Sequence, residues 1–455
     1  MWNEKRESMP RAELNEFQLV HLRALVSRLE SNVQFYRDKF SQAGTGADKL
    51  KALSDLSEFP FTTKADLRSQ YPSGFIAVQQ NEIRRFHASS GTKGKPTLVP
   101  YSQADLGNWA ELVARSLFAA GVRPGDIVHN AYGYGLFTGG LGLHAGIELL
   151  GAISVPASGG KTQQQITLIQ DLKPRVLCST PSYAMKLACT LEEMGIPSND
   201  LQIGIFGAEP WTNELGESLK TLLQLEPFDI YGLSEIMGPG VAIQCEQQRI
   251  RSDAARHLHI WEDHFLVEVI DRKTEKPLPD GEEGELVLTT LQKEAMPLLR
   301  FRTGDVTRLT REPCACGRTS VRMESVRARY DDMLIIRGVN VYPSEIERVI
   351  FSHPASLGPH YRIIISKQGA LDQLAVEIEL SENSLYMITE EQFKEQHIPH
   401  LVNAFKGALG LSIEVQFLPV GSLERVDGKS QRVVDLRDTG PKVGLAQTSF
   451  ENNRV

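Results

Sequence analysis

Cysteine is scarce in this chain, with five in 455 residues, and an odd count does not suit a disulfide framework. The opening stretch, Met1-Trp2-Asn3-Glu4-Lys5-Arg6-Glu7-Ser8, lacks the apolar core of a secretory signal. A reducing, cytoplasmic setting is therefore expected. Long apolar runs are missing as well. The least charged stretch, Ile127 to Ile147, has no Asp, Glu, Lys or Arg but holds six glycines with His129, Asn130 and His144. That makes a poor membrane span and a good substrate-facing loop, so no membrane partner is expected. Positive charge is in deficit too. With 49 Lys and Arg against 57 Asp and Glu, the net charge is −8, and a nucleic-acid partner is not expected because phosphate contacts need a basic face.

What is present is ordinary globular composition, 41% apolar and 23% charged, in a chain long enough for two or three domains. No internal repeat or low-complexity run is visible. Residues 10–40 read as an amphipathic helix, with Leu22, Leu25, Val26 and Leu29 at helical spacing. Ile203-Gly204-Ile205-Phe206 and Leu286-Val287-Leu288 read as buried strands in a mixed α/β body. The texture changes near Met333. Ser344-Glu345-Ile346-Glu347 has the form of a capping box. Strands over 361–366 and 374–380, a helix near 390–409 and a strand over 413–417 then describe a small α+β module. The expected division is 1–328 for the body, 329–440 for the module and 441–455 for a loose tail.

The most informative stretch is Ser89-Ser90-Gly91-Thr92-Lys93-Gly94-Lys95-Pro96-Thr97. Glycines let backbone N–H groups turn toward a ligand, hydroxyls add donors, and ammonium groups neutralise an anion, so the stretch suits a polyphosphate. It is not a Walker loop, since Ser89 stands five before Gly94 where glycine is required, and Pro96 follows the lysine. Taken alone, a solvated surface turn is the better reading of it. Gly207-Ala208-Glu209-Pro210 follows a strand and offers a flat backbone edge for a base. Tyr231-Gly232-Leu233-Ser234-Glu235 follows a strand expected to end at Ile230, and its hydroxyl and carboxylate suit a phosphate oxygen and Mg²⁺. Arg302-Thr303-Gly304-Asp305 sets a carboxylate after an expected tight turn, where it could accept two ribose hydroxyls. Each taken singly is also a plain turn. Cys314-Ala315-Cys316, with Cys245 and His259 upstream, supplies four soft ligands that suit a closed, tetrahedral zinc site. Free buried thiols are the alternative.

The order of these motifs resembles the adenylate-forming superfamily, and most closely its phenylacetate–CoA ligase family. The resemblance runs from Met9-Pro10 to Val434-Asp435. It is carried also by the run from Ala131 to Gly142, by Trp261-Glu262-Asp263-His264-Phe265 and by the run from Asp331 to Asn340. It implies a large multi-layer α/β adenylation domain and a small mobile α+β domain. The activity it implies is ATP- and Mg-dependent conversion of an aromatic or cyclic carboxylic acid to an acyl-adenylate with pyrophosphate release, then to a CoA thioester.

On this resemblance Ser89, Ser90, Gly91, Thr92, Lys93, Gly94 and Lys95 hold the β- and γ-phosphates. Tyr231, Gly232 and the backbone of Gly207, Ala208, Glu209 and Pro210 flank adenine. Glu235 binds Mg²⁺, Ser234 meets phosphate, Asp305 holds the ribose hydroxyls, and Arg329 reaches the same nucleotide. Asp331 is the hinge, Gly338 lines the channel for the second substrate, and Lys429 bridges the carboxylate and the α-phosphate. Tyr132, Phe137, Gly142, Ala145 and Ile236 fall near the acyl site. Relatives frequently carry tyrosine at the position of Ala145, which implies an enlarged pocket, or an alanine that merely packs under a loop. Lys93, Ala328 and Tyr330 also depart from the usual pattern. Two other readings stay open: transfer of the same adenylate to an amino acid's amine, as in coronafacate-ligase-like members, and a non-catalytic nucleotide-binding protein. The sequence leaves the oligomeric state open, with a homodimer as one option.

Overall fold

The structure, a computed structural model, describes residues 1–89, 96–198, 200–249, 255–337, 339–353, 357, 360–368, 371–380, 390–423 and 432–437. The chain forms two compact units, Met1–Met333 and a second beginning at Leu334. The six loop residues Ser90–Lys95, with Gly338 and Lys429, lie outside the described residues.

Short, continuously apolar segments build the centre of the first unit. Val176–Ser179 and Ile203–Gly207 are buried at every position, as strands covered on both faces must be. They belong to a nine-stranded sheet. Five neighbours in it run parallel, in the spatial order Ile153–Val155, Ile127–Asn130, Val176–Ser179, Ile203–Gly207 and Glu226–Leu233. Parallel pairing requires crossovers, and these are the helices Thr138–Leu150, Thr162–Leu172, Pro181–Glu193 and Asn213–Leu223. The carboxyl ends of the parallel strands therefore share one edge of the sheet. Chain direction across the sheet reverses at Ile127–Asn130, whose two neighbours are the next two strands in sequence. Such a reversal opens a crevice at the strand ends, the usual ligand position in an open α/β sheet.

The rest of that sheet is antiparallel: Gly238–Gln244, His257–Ile260, Arg322–Glu324 and Leu309–Thr310. A second, four-stranded antiparallel sheet holds Phe265–Ile270, Gly284–Thr290, Phe301–Thr307 and Ala328–Arg329. Because Ala328 and Arg329 pair with Val306 and Asp305, the body extends to Met333, past the expected edge at 328. A separate hairpin joins Ile83–Ala88 to Leu98–Ser102.

The second unit has its own apolar core, which includes Ile346, Ile363, Val376, Leu401 and Phe417. Its sheet runs Glu414–Leu418, Leu371–Glu379, Tyr361–Gln368, Val433–Asp435, and its helices are Pro343–Phe351 and Glu390–Leu409. The whole is a mixed α/β protein with a large first unit and a small α+β second one. Among the described residues no helix is long and apolar enough to cross a membrane.

Two local expectations change. The amphipathic stretch 10–40 is two helices, Arg11–Asn32 and Gln34–Ala43, separated by Val33 in an extended conformation. Val33 is buried, and the Asn32 amide donates to the Ala77 carbonyl at 2.8 Å, so tertiary contacts hold the break. The helix read as starting at a Ser344 cap begins instead at Pro343, with Tyr342 as its N-cap. Proline favours the first helical position and pushes its predecessor into extended backbone. Only the returning half of the box forms, with the Tyr342 N–H donating to Glu345 at 3.1 Å.

Candidate functional site

The loops at the carboxyl edge come from sequence that must reverse direction tightly. A Cβ on Gly207 would lie 2.1 Å from the Ile230 carbonyl oxygen, so only glycine lets these adjacent strands pair there. Ala208 follows at φ 70°, a left-handed conformation that a non-glycine residue rarely holds and that clusters at functional sites. Glu209 accepts from the Ser182 N–H at 2.8 Å, which ties this loop to the start of the Pro181–Glu193 helix.

Tyr231 and Gly232 lie inside a strand that continues to Leu233, three residues beyond its expected end at Ile230, with a register shift between them. No helix follows; residues 234–237 turn directly into the Gly238–Gln244 strand. The expected tight turn at Arg302-Thr303-Gly304-Asp305 is likewise strand, bulged through Gly304 at φ 79°. The bulge sets Asp305, fully buried, directly opposite Arg329. Arg329 Nη1 lies 2.6 Å from Asp305 Oδ1, and the Tyr231 hydroxyl donates to Oδ2 at 2.6 Å. Asp305 raises the Arg329 pKa, while burial and then Asp305 raise that of Tyr231 well above the usual phenol value. Three residues predicted to serve one nucleotide are thus one cluster, joined by an ion pair and a hydrogen bond to the same carboxylate.

Glu235 is 8% exposed, and its carboxylate makes no hydrogen bond or ion pair to another described residue. An uncommitted oxygen donor at a strand end fits a hard cation such as Mg²⁺. Ser234 Oγ lies 3.1 Å from Thr138 Oγ1. Ser89, first residue of the stretch expected to hold phosphates, is clasped across the hairpin neck: its N–H donates to the Thr97 carbonyl at 3.0 Å, and its hydroxyl accepts from the Thr97 N–H at 3.2 Å. The neighbouring Ala88 N–H donates to the Leu136 carbonyl at 2.9 Å, joining the neck to the glycine-rich run 131–142.

In that run Tyr132 is buried, and its hydroxyl has no hydrogen-bond partner of good geometry among the described residues. Its nearest polar neighbour is the backbone of Gly207. Phe137 is 38% exposed. Ile236, expected opposite it, belongs to the main apolar core. Gly142 serves helix packing, since a Cβ there would lie 2.1 Å from the Trp109 ring. Ala145 is half-exposed on the same helix. Asp331 pairs with Lys64 at 2.5 Å, two residues before the end of the first unit.

Sequence reading missed Lys64, Thr138 and Lys293. Lys293 is 3% exposed, and burial lowers its pKa to about 8 against the pull of Asp105 and Glu235. No local signal marked Lys293, which stands in the polar run Gln292-Lys293-Glu294.

Cys245, His259, Cys314 and Cys316 come together with their ligand atoms all within 4.8 Å of one another. Cys245 Sγ to Cys314 Sγ is 3.8 Å, and Cys316 Sγ to His259 Nε2 is 3.3 Å. A tetrahedral Zn²⁺ with ~2.3 Å bonds to sulfur and ~2.0 Å to nitrogen gives edges of about 3.8 and 3.5 Å. His259 Nδ1 sits 3.0 Å from Ser320 Oγ, leaving Nε2 aimed at the sulfurs. The residues fit the ion.

This crevice and its polar cluster define a nucleotide-binding enzyme that activates its substrate on a phosphate. Residues 24–292 match the AMP-binding enzyme family, and residues 338–437 match the AMP-binding enzyme C-terminal domain. The chain is 47% identical to the phenylacetate-coenzyme A ligase of Thermus thermophilus, over 96% of this chain and 100% of that protein. It is also 47% identical to the Escherichia coli phenylacetate-coenzyme A ligase, over 94% of this chain and 95% of that one. Among solved structures, 2-hydroxyisobutyryl-CoA ligase in its postadenylation state with R3-HIB-AMP superposes with a TM-score of 0.87 at 28% identity, covering 96% of this chain and 92% of the other. The chain belongs to the phenylacetate–CoA ligase family of AMP-binding enzymes. It is an AMP-forming acid–CoA ligase, making an acyl-adenylate and then a CoA thioester.

Proposed function

We propose that phenylacetate, or a ring-bearing acid close to it, is the carboxylic acid activated here, and that the Tyr231–Asp305–Arg329 cluster beside Glu235 holds the ATP. The cluster carries this reading because its geometry leaves capacity for a ribose. A carboxylate offers about four acceptor sites, and Tyr231 and Arg329 each approach a different oxygen of Asp305. The proposed chemistry needs no protein nucleophile. A carboxylate oxygen attacks the α-phosphorus and pyrophosphate departs; the CoA thiol then attacks the acyl carbon and AMP departs. Charge gathers on phosphoryl oxygens in the first step, so positioning and positive charge do the catalytic work. Ser89 to Lys95 would hold the outer phosphates, with Ser234 on a phosphate oxygen and Lys429 at the α-phosphate. The 207–210 backbone would lie against adenine, and Gly338 would line the path of CoA. Mg²⁺ held at Glu235 would supply phosphate neutralisation when bound. Asp331 would serve as hinge, its carboxylate steadied by Lys64.

For the acid, support comes from the names of the relatives and from the exposed Phe137 ring in the glycine-rich run. Ala145 leaves room where relatives often have a ring. Acid-dependent pyrophosphate release, run with CoA and separately with mixed amino acids, tests the assignment. Phenylacetate with CoA is expected to give phenylacetyl-CoA, and ring-substituted phenylacetates are expected to react with comparable kcat/KM. Product formed only with an amino acid would replace the thioester reading by amide ligation.

We also propose that the Cys245–His259–Cys314–Cys316 cluster holds a structural zinc. It would join the end of the Gly238–Gln244 strand and His259 of the next strand to the 311–321 loop. Purified protein is expected to contain about one equivalent of zinc. Cys316→Ser should lower the unfolding temperature while sparing kcat for adenylation. Metal-free protein of unchanged stability would remove the site.

A further inference from the structure

The turn that carries Ser234 and Glu235 rests on two side chains. The Tyr101 hydroxyl donates to the Met237 carbonyl at 3.0 Å and lies 3.4 Å from that of Ser234. Lys293 Nζ donates to the carbonyls of Glu235 at 3.0 Å and Ile236 at 2.8 Å. Three successive carbonyls of the turn, those of Glu235, Ile236 and Met237, are thereby engaged. The two supports also touch, with Nζ 5.0 Å from the Tyr101 ring centre. Lys293 is itself clamped. Buried Asp105 accepts from the N–H groups of the next two residues, Glu294 at 2.6 Å and Ala295 at 3.0 Å, while capping the Gln103–Ala119 helix.

A neutral donor would satisfy two carbonyls without the desolvation that a buried ammonium entails. The positive charge at this spot faces two carboxylates, Asp105 from the helix start and Glu235 on the turn it supports. We infer that Lys293 is a positioning residue for Glu235: it fixes the turn and sets a cation behind the carboxylate while leaving both carboxylate oxygens free for the nucleotide's metal. The inference rests on the reading of Glu235 as the Mg²⁺ ligand.

The test uses the full-length protein with Mn²⁺ as the metal probe and α,β-methylene-ATP as the nucleotide. Mn²⁺ affinity is read by electron paramagnetic resonance, and metal-free nucleotide affinity by calorimetry. Lys293→Gln is expected to weaken Mn²⁺ by about 10–100-fold, the scale for losing a support behind a metal ligand. Metal-free nucleotide binding should stay near that of the parent, and Lys293→Arg should recover most of the loss. Glu235→Gln should weaken Mn²⁺ similarly, and the double variant should add little. Unchanged Mn²⁺ affinity in Lys293→Gln overturns the inference while leaving Glu235 in place; so does an equal loss of nucleotide affinity with and without metal. Unchanged Mn²⁺ affinity in Glu235→Gln removes the Glu235 assignment itself, and Lys293's role with it. Should Lys293→Gln not fold, Tyr101→Phe decides: weakened Mn²⁺ supports the carbonyl cradle, and unchanged Mn²⁺ overturns it.

Discussion

Lys429→Ala is expected to slow acyl-adenylate formation by about 10²–10³-fold, the usual scale for removing one electrostatic group aimed at developing charge. Two anions meet in that step, the substrate carboxylate and the α-phosphate, and their repulsion must be screened before an oxygen can approach phosphorus. An ammonium between them acts on both and strengthens as charge gathers on the phosphoryl oxygens. ATP–pyrophosphate exchange measures the step directly. Thioester formation from chemically prepared acyl-adenylate should be far less affected, because the carboxylate–phosphate encounter has already occurred. An equal loss in both assays would move Lys429 out of this role.

Asp305→Ala should act on stability and on nucleotide affinity together. Asp305 is fully buried, and Arg329, with its side chain 22% exposed, would lose its nearest carboxylate while keeping Asp332 at 3.8 Å and the Thr303 carbonyl at 3.3 Å. Breaking a buried pair from one side destabilises by ~3–5 kcal/mol, and the partial exposure of Arg329 places this case near 3. Denaturant titration of Asp305→Ala, Arg329→Met and the double variant checks it, since the double should lose less than the sum. For the ligand, a hydrogen bond to a charged group contributes about 1.5–3 kcal/mol, so ATP Kd should rise about 10–100-fold. Asp305→Asn offers the discriminating comparison. The parent should prefer ATP over 2′,3′-dideoxy-ATP, and the variant should lose most of that preference. A preference kept intact would show that the ribose hydroxyls bind elsewhere.

Much of the site was legible as residue types in order. Singly, a carboxylate, a hydroxyl or a glycine at a strand end is also a plain turn; it was the order of the motifs, through the family resemblance, that pointed to Glu235 and Asp305. Local conformation was less legible. Arg302-Thr303-Gly304-Asp305 has the composition of a turn, yet cross-strand pairing keeps it in a bulged strand. Ile236 and Gly142 sit in the right neighbourhood of sequence, but burial in the core and the Trp109 ring claim them.

The sequence by itself determined the chemistry available, the family, and the division into a large and a small part, because motif order and apolar patterning are properties of the chain. Tertiary structure alone decided which charges meet. Arg329 opposes Asp305 through strand register, Tyr231 reaches the same carboxylate from another sheet, and Lys293 engages a turn 58 residues away in sequence. Long-range hydrogen bonds of this kind depend on where the backbone brings distant segments together, and no local pattern of residues encodes that distance.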